Sequence, residues 1–292
     1  MLKQERINKM SKNITITNGN LTLTVSTQGA EIQSLVKNSK EYIWCGNPDV
    51  WSGHAPILFP ICGGLKDDKF IYKGKEYVLP KHGFARLSEF EVENQTNTSA
   101  TFLLKSTPET LNCYPFEFEL RTIFELCDDT LNVTYRVTNT GDDKMYFSIG
   151  AHEAYACEGG IEDYSVIFEQ KEKLDRVLVD GNLMTYNRQL IAENTDKLAL
   201  KNEYFNLDAI ILDDVKSRKV TVKGENKAID VKFDDHDYLL IWTKPGAEYI
   251  CIEPWCGIPD YVDSDNDITT KKGIICIDAK ESCDRKHTIT IL

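Results

Sequence analysis

The sequence lacks the features that would place the protein in a membrane or on a nucleic acid. No stretch approaches the roughly 18 consecutive apolar residues of a transmembrane helix. Basic residues are in deficit, because 34 lysines and arginines stand against 46 aspartates and glutamates, for a formal net charge of −12. An acidic chain of this kind repels phosphate backbones and anionic lipid surfaces. We therefore expect neither a nucleic acid nor a membrane as a partner.

Disulfide and zinc-binding patterns are missing as well. The nine cysteines form no Cys-x-x-Cys pair, their number is odd, and several lie in apolar runs such as residues 274–277. Cys251 and Cys256 have no histidine at ligand spacing along the chain. These features favour buried free thiols in a reducing compartment. Since the first 13 residues also lack the apolar core of a signal peptide, we expect a cytoplasmic protein.

Several common catalytic and metal-binding motifs are absent. The sequence contains no Gly-x-Ser-x-Gly nucleophile elbow and no P-loop. Residues 263–267 begin like a calcium-binding loop, but Ile268 and Ile274 stand where such a loop needs glycine and glutamate. We therefore exclude an EF-hand calcium site.

The dominant pattern that is present is an alternation of apolar and polar residues, which is typical of half-buried strands. It is clearest at residues 116–123 and 131–137, on either side of a turn at residues 127–129. Two further hairpins are predicted around Lys73-Gly74 and around residues 224–226. Many short strands separated by turns indicate an all-β sandwich or barrel made of antiparallel strands.

Helical periodicity is scarce. One short helix is predicted over Pro48–Ser52, with Asn47 as its N-cap and Pro48 at its first position. No repeat or flexible linker divides the chain. We expect a disordered leader over residues 1–12 and a single domain over residues 13–292.

The five histidines fall into two groups by their surroundings. His54, His236 and His287 lie among polar or turn-forming residues, so we expect them at the surface. His82 begins the run His-Gly-Phe-Ala-Arg, and His152 follows a strand that ends in small residues. An imidazole at a strand end, where small neighbours let a ligand approach, suits proton transfer. A purely structural role stays open for His82 and His152.

One carboxylate stands at the end of an apolar strand. Glu253 follows residues 249–252 and precedes Pro254 and Trp255. Burying a carboxylate costs free energy unless it is paired, and Trp255 offers a flat apolar face of the kind that packs against a sugar ring. The alternative is that Glu253 ends its strand pointing into solvent.

Three motifs, taken in order, resemble the aldose 1-epimerase (galactose mutarotase-like) family, and most closely its LacX-type branch. They are His-Gly-Phe-Ala-Arg at 82–86, Ser-Ile-Gly-Ala-His at 148–152 and Ile-Glu-Pro-Trp-Cys-Gly at 252–257. The resemblance spans nearly the whole chain. It implies a large antiparallel β-supersandwich, in agreement with the strand pattern. It also implies an isomerase that interconverts the α and β anomers of a free aldohexose without a metal or a cofactor.

The resemblance also implies roles for single residues. His152 would be the general acid that protonates the ring oxygen, and Glu253 the general base that deprotonates the anomeric hydroxyl. His82 would bind the sugar and polarise its ring oxygen, and Asp208 would hold sugar hydroxyls unless it is only a turn residue. Ordinary pKa values of about 4.3 and 6.5 would leave the carboxylate ionised and the imidazole partly protonated, and a neighbouring carboxylate would raise the pKa of the histidine further.

The chain departs from the family at one position. After residues 56–60 many relatives carry an arginine that contacts the sugar, whereas residues 61–66 of this chain contain none. Lys66 or Lys69 would be its replacement, although lysine lacks the planar guanidinium fork.

Two other functions stay open on the same fold. A hexose-6-phosphate 1-epimerase would use Lys81 and Arg86, which flank His82, to hold a phosphate; in either enzyme Arg86 is a candidate substrate-binding residue. A non-catalytic carbohydrate-binding protein would keep the scaffold alone. In each case we expect a small sugar as the ligand and a monomer or a homodimer as the state of the protein.

Overall fold

The computed structural model describes residues 11–292, and antiparallel strands dominate this range. This confirms the predicted all-β class and the large β-supersandwich. The leader predicted over residues 1–12 lies outside the described residues except for its last two, and the first strand begins at Asn13. None of the helices in the described range has the length and apolar content needed to cross a lipid bilayer.

The strands form one large sheet and three small ones. The first small sheet contains β1 (Asn13–Thr17), β2 (Leu21–Ser26), β3 (Ile32–Lys37) and β4 (Lys40–Glu41). The other two pair β5 (Lys69–Tyr72) with β6 (Lys75–Val78), and β11 (Met145–Phe147) with β21 (Ile275–Ile277). In chain order, the first seven strands of the large sheet are β7 (Glu91–Gln95), β8 (Ser99–Lys105), β9 (Phe118–Cys127), β10 (Thr130–Asn139), β12 (Ile149–Gly150), β13 (Glu153–Ala156) and β14 (Ser165–Asp180). The remaining seven strands of the large sheet are β15 (Leu183–Ala199), β16 (Ile210–Leu212), β17 (Lys219–Lys223), β18 (Ala228–Lys232), β19 (Tyr238–Trp242), β20 (Tyr249–Cys256) and β22 (Ser282–Ile291).

The large sheet runs in the order β12-β20-β19-β16-β14-β17-β18-β22-β10-β9-β8-β7, with β13 beside β20 and β15 beside β14. The three predicted hairpins are confirmed as β5–β6, β9–β10 and β17–β18. In β9 and β10 the alternation works as expected, since Phe124 faces Val133 and Leu126 faces Leu131 across the ladder. These side chains are buried in the main core, because one face of the pleat is turned inward.

The predicted helix over Pro48–Ser52 is wrong. The backbone makes a single turn there, in which the carbonyl of Asn47 accepts the N–H groups of Val50 and Trp51. The turn does not extend, and the Trp51 ring packs against Tyr249 and His152. Tertiary packing therefore overrides a weak local signal.

The one α-helix of the described range is α1 (Pro108–Cys113), which begins with the same kind of signal. Thr107 caps it reciprocally with Thr110, and Pro108 takes the first position. Short 3₁₀ helices lie at Lys66–Asp68, Ala85–Leu87, Ile161–Asp163 and Asn202–Leu207. The helices are few and short, in agreement with the scarce helical periodicity of the sequence.

The expected surface positions of His236 and His287 are wrong, since each is only 1% exposed. His287 lies in β22 on the same face as Ile289 and Ile291, which are both buried. The period of two in this strand would have predicted an inward position, but the polar neighbours of the histidine obscured it. His54 is partly buried.

The cysteines agree only in part with the expectation of buried free thiols. All nine lie in the described range and are free. Cys62, Cys157, Cys251 and Cys256 are buried, whereas Cys45, Cys127 and Cys276 are exposed. The remaining two are partly buried.

Candidate active site

A cavity of about 400 Å³ opens where β12, β13 and β20 meet. This volume lies in the range of small-molecule sites. His82, Arg86, His152, Asp208 and Glu253 all line it. The fold therefore brings together the five residues singled out from the sequence, although they come from distant parts of the chain.

The position of His152 follows from a proline in the neighbouring strand. β12 and β13 both pair with β20, but the ladder is interrupted between them, opposite Pro254. The carbonyl of Pro254 accepts the N–H of Ala151 at 3.0 Å, and the proline has no N–H to return a bond on that side. His152 leaves the ladder at this interruption and faces the cavity.

His152 and Glu253 form the central pair of the cavity. Nε2 of His152 lies 3.4 Å from Oε2 of Glu253, and the side chains are 12% and 2% exposed. Glu253 belongs to β20, all of whose residues are buried. The alternative that Glu253 points into solvent is thereby excluded.

Burial opposes the charged form of both partners. It raises the pKa of Glu253 well above its usual range, an effect that Asp208 and Glu153 strengthen and Lys81 weakens. It lowers the pKa of His152 to about 3. The expectation that a nearby carboxylate would raise the pKa of this histidine is wrong, because removal from water dominates.

His82 is held in one tautomer. Its Nδ1 accepts the N–H of Gly63 at 3.1 Å, so the ring hydrogen of the neutral imidazole lies on Nε2. Burial, the neighbouring His152 and the nearby cations Lys81 and Arg86 lower the pKa of His82 well below its usual range. A neutral His82 with hydrogen on Nε2 can donate a hydrogen bond to a ligand oxygen.

The run that begins at His82 has an unusual backbone. His82 and Gly83 have φ values of +68° and +65°, a region that side chains with a Cβ rarely adopt. A Cβ at residue 83 would lie 2.3 Å from the carbonyl oxygen of Phe59. Glycine therefore permits the close approach of two loops that places His82 at the cavity.

Charged groups line one part of the cavity wall. Lys81 and Arg86 contribute to it, and Nη2 of Arg86 donates to the carbonyl of Lys81 at 3.3 Å. Nε of Arg86 is buried without a hydrogen-bond partner among residues 11–292. Asp208 is exposed, with φ +72°, and accepts the N–H of Ala209 at 2.8 Å. It is a turn residue and a cavity residue at once.

Sequence reasoning missed two aromatic residues of the wall. Trp51 stacks on His152 with 5.3 Å between ring centroids, and Trp242 meets the same imidazole edge-on at 5.6 Å. Neither stands in a motif with chemical meaning, so only the fold identifies them. Trp255, which was singled out, lines the cavity but is 3% exposed, and its Nε1 donates to the carbonyl of Ala151 at 3.0 Å.

Neither lysine considered as a replacement for the family arginine lines the cavity. Nζ of Lys66 donates to the carbonyl of Ser264 at 2.9 Å, and Nζ of Lys69 pairs with Glu76 at 2.7 Å. The cations that do reach the cavity are Lys81 and Arg86.

Comparisons with known proteins show which family the chain belongs to. The family model described as aldose 1-epimerase matches residues 12–276. The plasmid form of protein LacX from Lactococcus lactis subsp. lactis is 35% identical over 96% of this chain and 99% of its own length. A galactose mutarotase related enzyme from Lactobacillus acidophilus is 35% identical, with a TM-score of 0.91 over 96% of this chain and 97% of the other.

A galactose mutarotase-like protein from Lactobacillus casei ATCC 334 has the same TM-score of 0.91, at 30% identity over 96% of this chain and all of its own. The range matched by the family model includes every residue described above for the cavity. The chain belongs to the aldose 1-epimerase family.

Proposed function

We propose that the protein is an aldose 1-epimerase that interconverts the α and β anomers of a free aldohexose. The observation that carries the proposal is the pair formed by His152 and Glu253, whose Nε2 and Oε2 lie 3.4 Å apart at a cavity large enough for a hexose. Anomerisation needs one group that donates a proton and one that accepts a proton at the two oxygens bonded to the anomeric carbon, the ring oxygen and the hydroxyl oxygen. A carboxyl and an imidazole in contact meet that need.

The proton transfers balance between the two side chains. With Glu253 as carboxylate and His152 as imidazolium, Glu253 takes the proton of the anomeric hydroxyl. The electron pair of that O–H bond forms the carbonyl at C1. The bond from C1 to the ring oxygen breaks, and the ring oxygen takes the proton of His152. Rotation about C1–C2 presents the other carbonyl face, and closure returns both protons. Glu253 is thus the base and His152 the acid of ring opening.

Burial of the pair bears on this step. In the free protein the raised pKa of Glu253 and the lowered pKa of His152 favour a neutral carboxylic acid and a neutral imidazole, so the ion pair is the less populated arrangement of the same protons. Ring opening converts that ion pair back into the neutral forms, with the same number of protons on the protein. Both side chains are largely removed from water, where charged forms are costly, so this discharge makes ring opening more favourable once the ion pair has formed. Each positioned proton transfer contributes about 10²–10⁴-fold to the rate.

The remaining cavity residues orient the sugar. His82 carries hydrogen on Nε2 because its Nδ1 accepts from Gly63, and we assign it the hydrogen bond to the ring oxygen. Asp208 is exposed at the cavity and offers carboxylate oxygens to sugar hydroxyls. Trp51 and Trp242 supply apolar surface beside His152. We also propose a cytoplasmic monomer or homodimer without a catalytic cofactor.

One observation favours a second candidate, a hexose-6-phosphate 1-epimerase. Lys81 and Arg86 both line the cavity, and Nε of Arg86 has no hydrogen-bond partner within the described part of the chain. Guanidinium groups bind phosphate strongly through paired hydrogen bonds. The chemistry at His152 and Glu253 is the same for either substrate.

The test is an anomerisation assay over a panel of free and phosphorylated aldohexoses, followed by polarimetry or NMR. The wild type should accelerate equilibration of at least one sugar, and Glu253→Gln should abolish the acceleration while keeping the fold. An Arg86→Gln variant that loses only the reaction of phosphorylated sugars would select the second candidate. A wild type that binds sugars but equilibrates none would leave only the carbohydrate-binding function.

A further inference from the structure

A third donor atom lies beside the central pair. Cys251 precedes Glu253 by two residues in β20, so both side chains lie on the same face of the strand. Sγ of Cys251, a ring nitrogen of His152 and a carboxylate oxygen of Glu253 all lie within 4.8 Å of one another. Spacing along the chain does not indicate this group of three, because His152 lies about 100 residues before Cys251.

The spacing suits a tetrahedral metal ion. Zinc binds nitrogen and oxygen at about 2.0–2.2 Å, which at tetrahedral angles separates two ligand atoms by about 3.3–3.6 Å. The observed distance from Nε2 of His152 to Oε2 of Glu253 is 3.4 Å. Sγ lies at most 4.8 Å from the other two atoms, so a three-ligand arrangement requires the sulfur to move closer to them by at most about 1.3 Å.

The chemistry of the donors is selective. One thiolate, one imidazole and one carboxylate form a borderline set that prefers Zn²⁺ or Co²⁺ over Mg²⁺ and Ca²⁺, which prefer oxygen ligands. Cys251 is fully buried and Glu253 is 2% exposed, so solvent competes little for the ion. His152 and Glu253 line the cavity, so the fourth coordination position faces the space proposed for the sugar.

We propose that His152, Cys251 and Glu253 form a binding site for a divalent transition metal ion, with Zn²⁺ as the first candidate, and that the bound ion inhibits the enzyme by occupying the acid–base pair. The inhibitory part rests on the proposed function, whereas the binding part does not. On binding, the thiol of Cys251 and the carboxyl of Glu253 each release a proton to solvent, and the resulting thiolate and carboxylate form bonds to the metal together with the neutral imidazole of His152. No redox change is involved.

Cobalt tests the binding directly, because a cysteine-bound Co²⁺ has a thiolate-to-metal charge-transfer absorption in the near ultraviolet. The experiment uses the full chain with the exposed Cys45, Cys127 and Cys276 replaced by serine, so that surface thiols do not contribute. Titration with CoCl₂ should give this band with one Co²⁺ per chain, and added Zn²⁺ should remove it. Absence of a stoichiometric band would overturn the proposal.

Two cysteine variants of that background locate the site. Cys251→Ser should remove the charge-transfer band and weaken Zn²⁺ binding at least about ten-fold, since a thiolate ligand is lost. Cys256→Ser is the matched control, because Cys256 lies on the same strand but its Sγ donates to the carbonyl of Asp235 at 3.1 Å. It should keep the band. An unchanged band in Cys251→Ser, or its loss only in Cys256→Ser, would contradict the assignment.

Inhibition is measured separately, with each variant compared with its own rate in EDTA. Zn²⁺ should slow anomerisation by the wild type, sugar should relieve the inhibition, and Cys251→Ser should need at least about ten-fold more Zn²⁺ for the same effect. Zn²⁺ binding without inhibition would overturn the inhibitory part. If no sugar is turned over in EDTA while Co²⁺ still binds through Cys251, the proposed function fails and the metal site stands.

Discussion

The molecule contains two histidine–glutamate pairs of similar chemistry in different surroundings. The cleft pair, His152 and Glu253, has its closest atoms 3.4 Å apart and lines the cavity. The core pair, His287 and Glu153, has Nε2 and Oε1 2.9 Å apart, and both side chains are 2% exposed or less. His152 and Glu153 are consecutive in the chain, yet they belong to different pairs.

The comparison of the two pairs shows that residue types alone do not define an active site. The core pair is tighter and better enclosed, but it does not line the cavity and cannot meet a ligand. The cleft pair is looser, and one partner keeps some exposure. The first arrangement suits stability, and the second exposes the donor and the acceptor to a cavity that a substrate can enter.

The largest expected effect separates the two pairs by activity. His152→Gln should slow anomerisation by about 10²–10⁴-fold, because one positioned proton transfer is lost. Its urea unfolding midpoint should stay close to that of the wild type, since the imidazole faces the cavity. Polarimetry and urea titration measure both quantities. A variant with full activity would show that the cleft pair is not catalytic.

The second prediction is the reverse, a loss of stability without a loss of activity. His287→Gln should lower the free energy of unfolding by about 1–3 kcal/mol, because the amide does not keep the 2.9 Å contact of the ring nitrogen with the buried carboxyl of Glu153. The anomerisation rate per folded chain should not change, since His287 does not line the cavity. Urea titration followed by circular dichroism checks the stability. A stable but inactive His287→Gln would mean that the core pair acts on the cleft.

A smaller effect depends on pH. Burial, helped by the neighbouring His287 and Arg285, lowers the pKa of His236 well below its usual range. Below pH of about 6.5 the unfolded chain therefore binds a proton that the folded chain does not. The free energy of unfolding should fall as pH decreases below that value, by up to about 1.4 kcal/mol per pH unit for this group.

The matched variant for this effect is His236→Phe, which removes the titrating group and keeps a ring. It should reduce the pH slope by about one proton in urea titrations between pH 6.5 and 4.5. The cleft histidines His82 and His152 also have lowered pKa values, so part of the slope remains. An identical slope in His236→Phe and wild type would contradict the prediction.

The smallest effect concerns the segment that holds His152. Trp255→Phe removes the hydrogen bond from the indole to the carbonyl of Ala151, which is worth about 1 kcal/mol. Because Ala151 precedes His152, we expect kcat/KM to fall about five-fold, with a smaller loss in thermal stability. Steady-state kinetics with the preferred sugar measures kcat/KM, and thermal unfolding measures the stability. A thousand-fold loss would instead assign Trp255 a direct part in the reaction.

Much of the fold and of the cavity was predictable. Alternation and turn residues located the hairpins, and the three motifs located His82, Arg86, His152 and Glu253, which line the cavity. Trp51 and Trp242 were not predictable, because an isolated tryptophan carries no sign of its partner. His287 was misplaced because its polar neighbours obscured the period of two that it shares with Ile289 and Ile291 in β22.

The sequence by itself determined the all-β class, since a period of two places apolar side chains on one face of each strand whatever the topology. It also determined which carboxylates and imidazoles were available. Only the tertiary structure decided which of them meet. Contacts such as those of His152 with Glu253 and Cys251 join strands that are distant in the chain, and strand order and register, not local spacing, fix the distances between them.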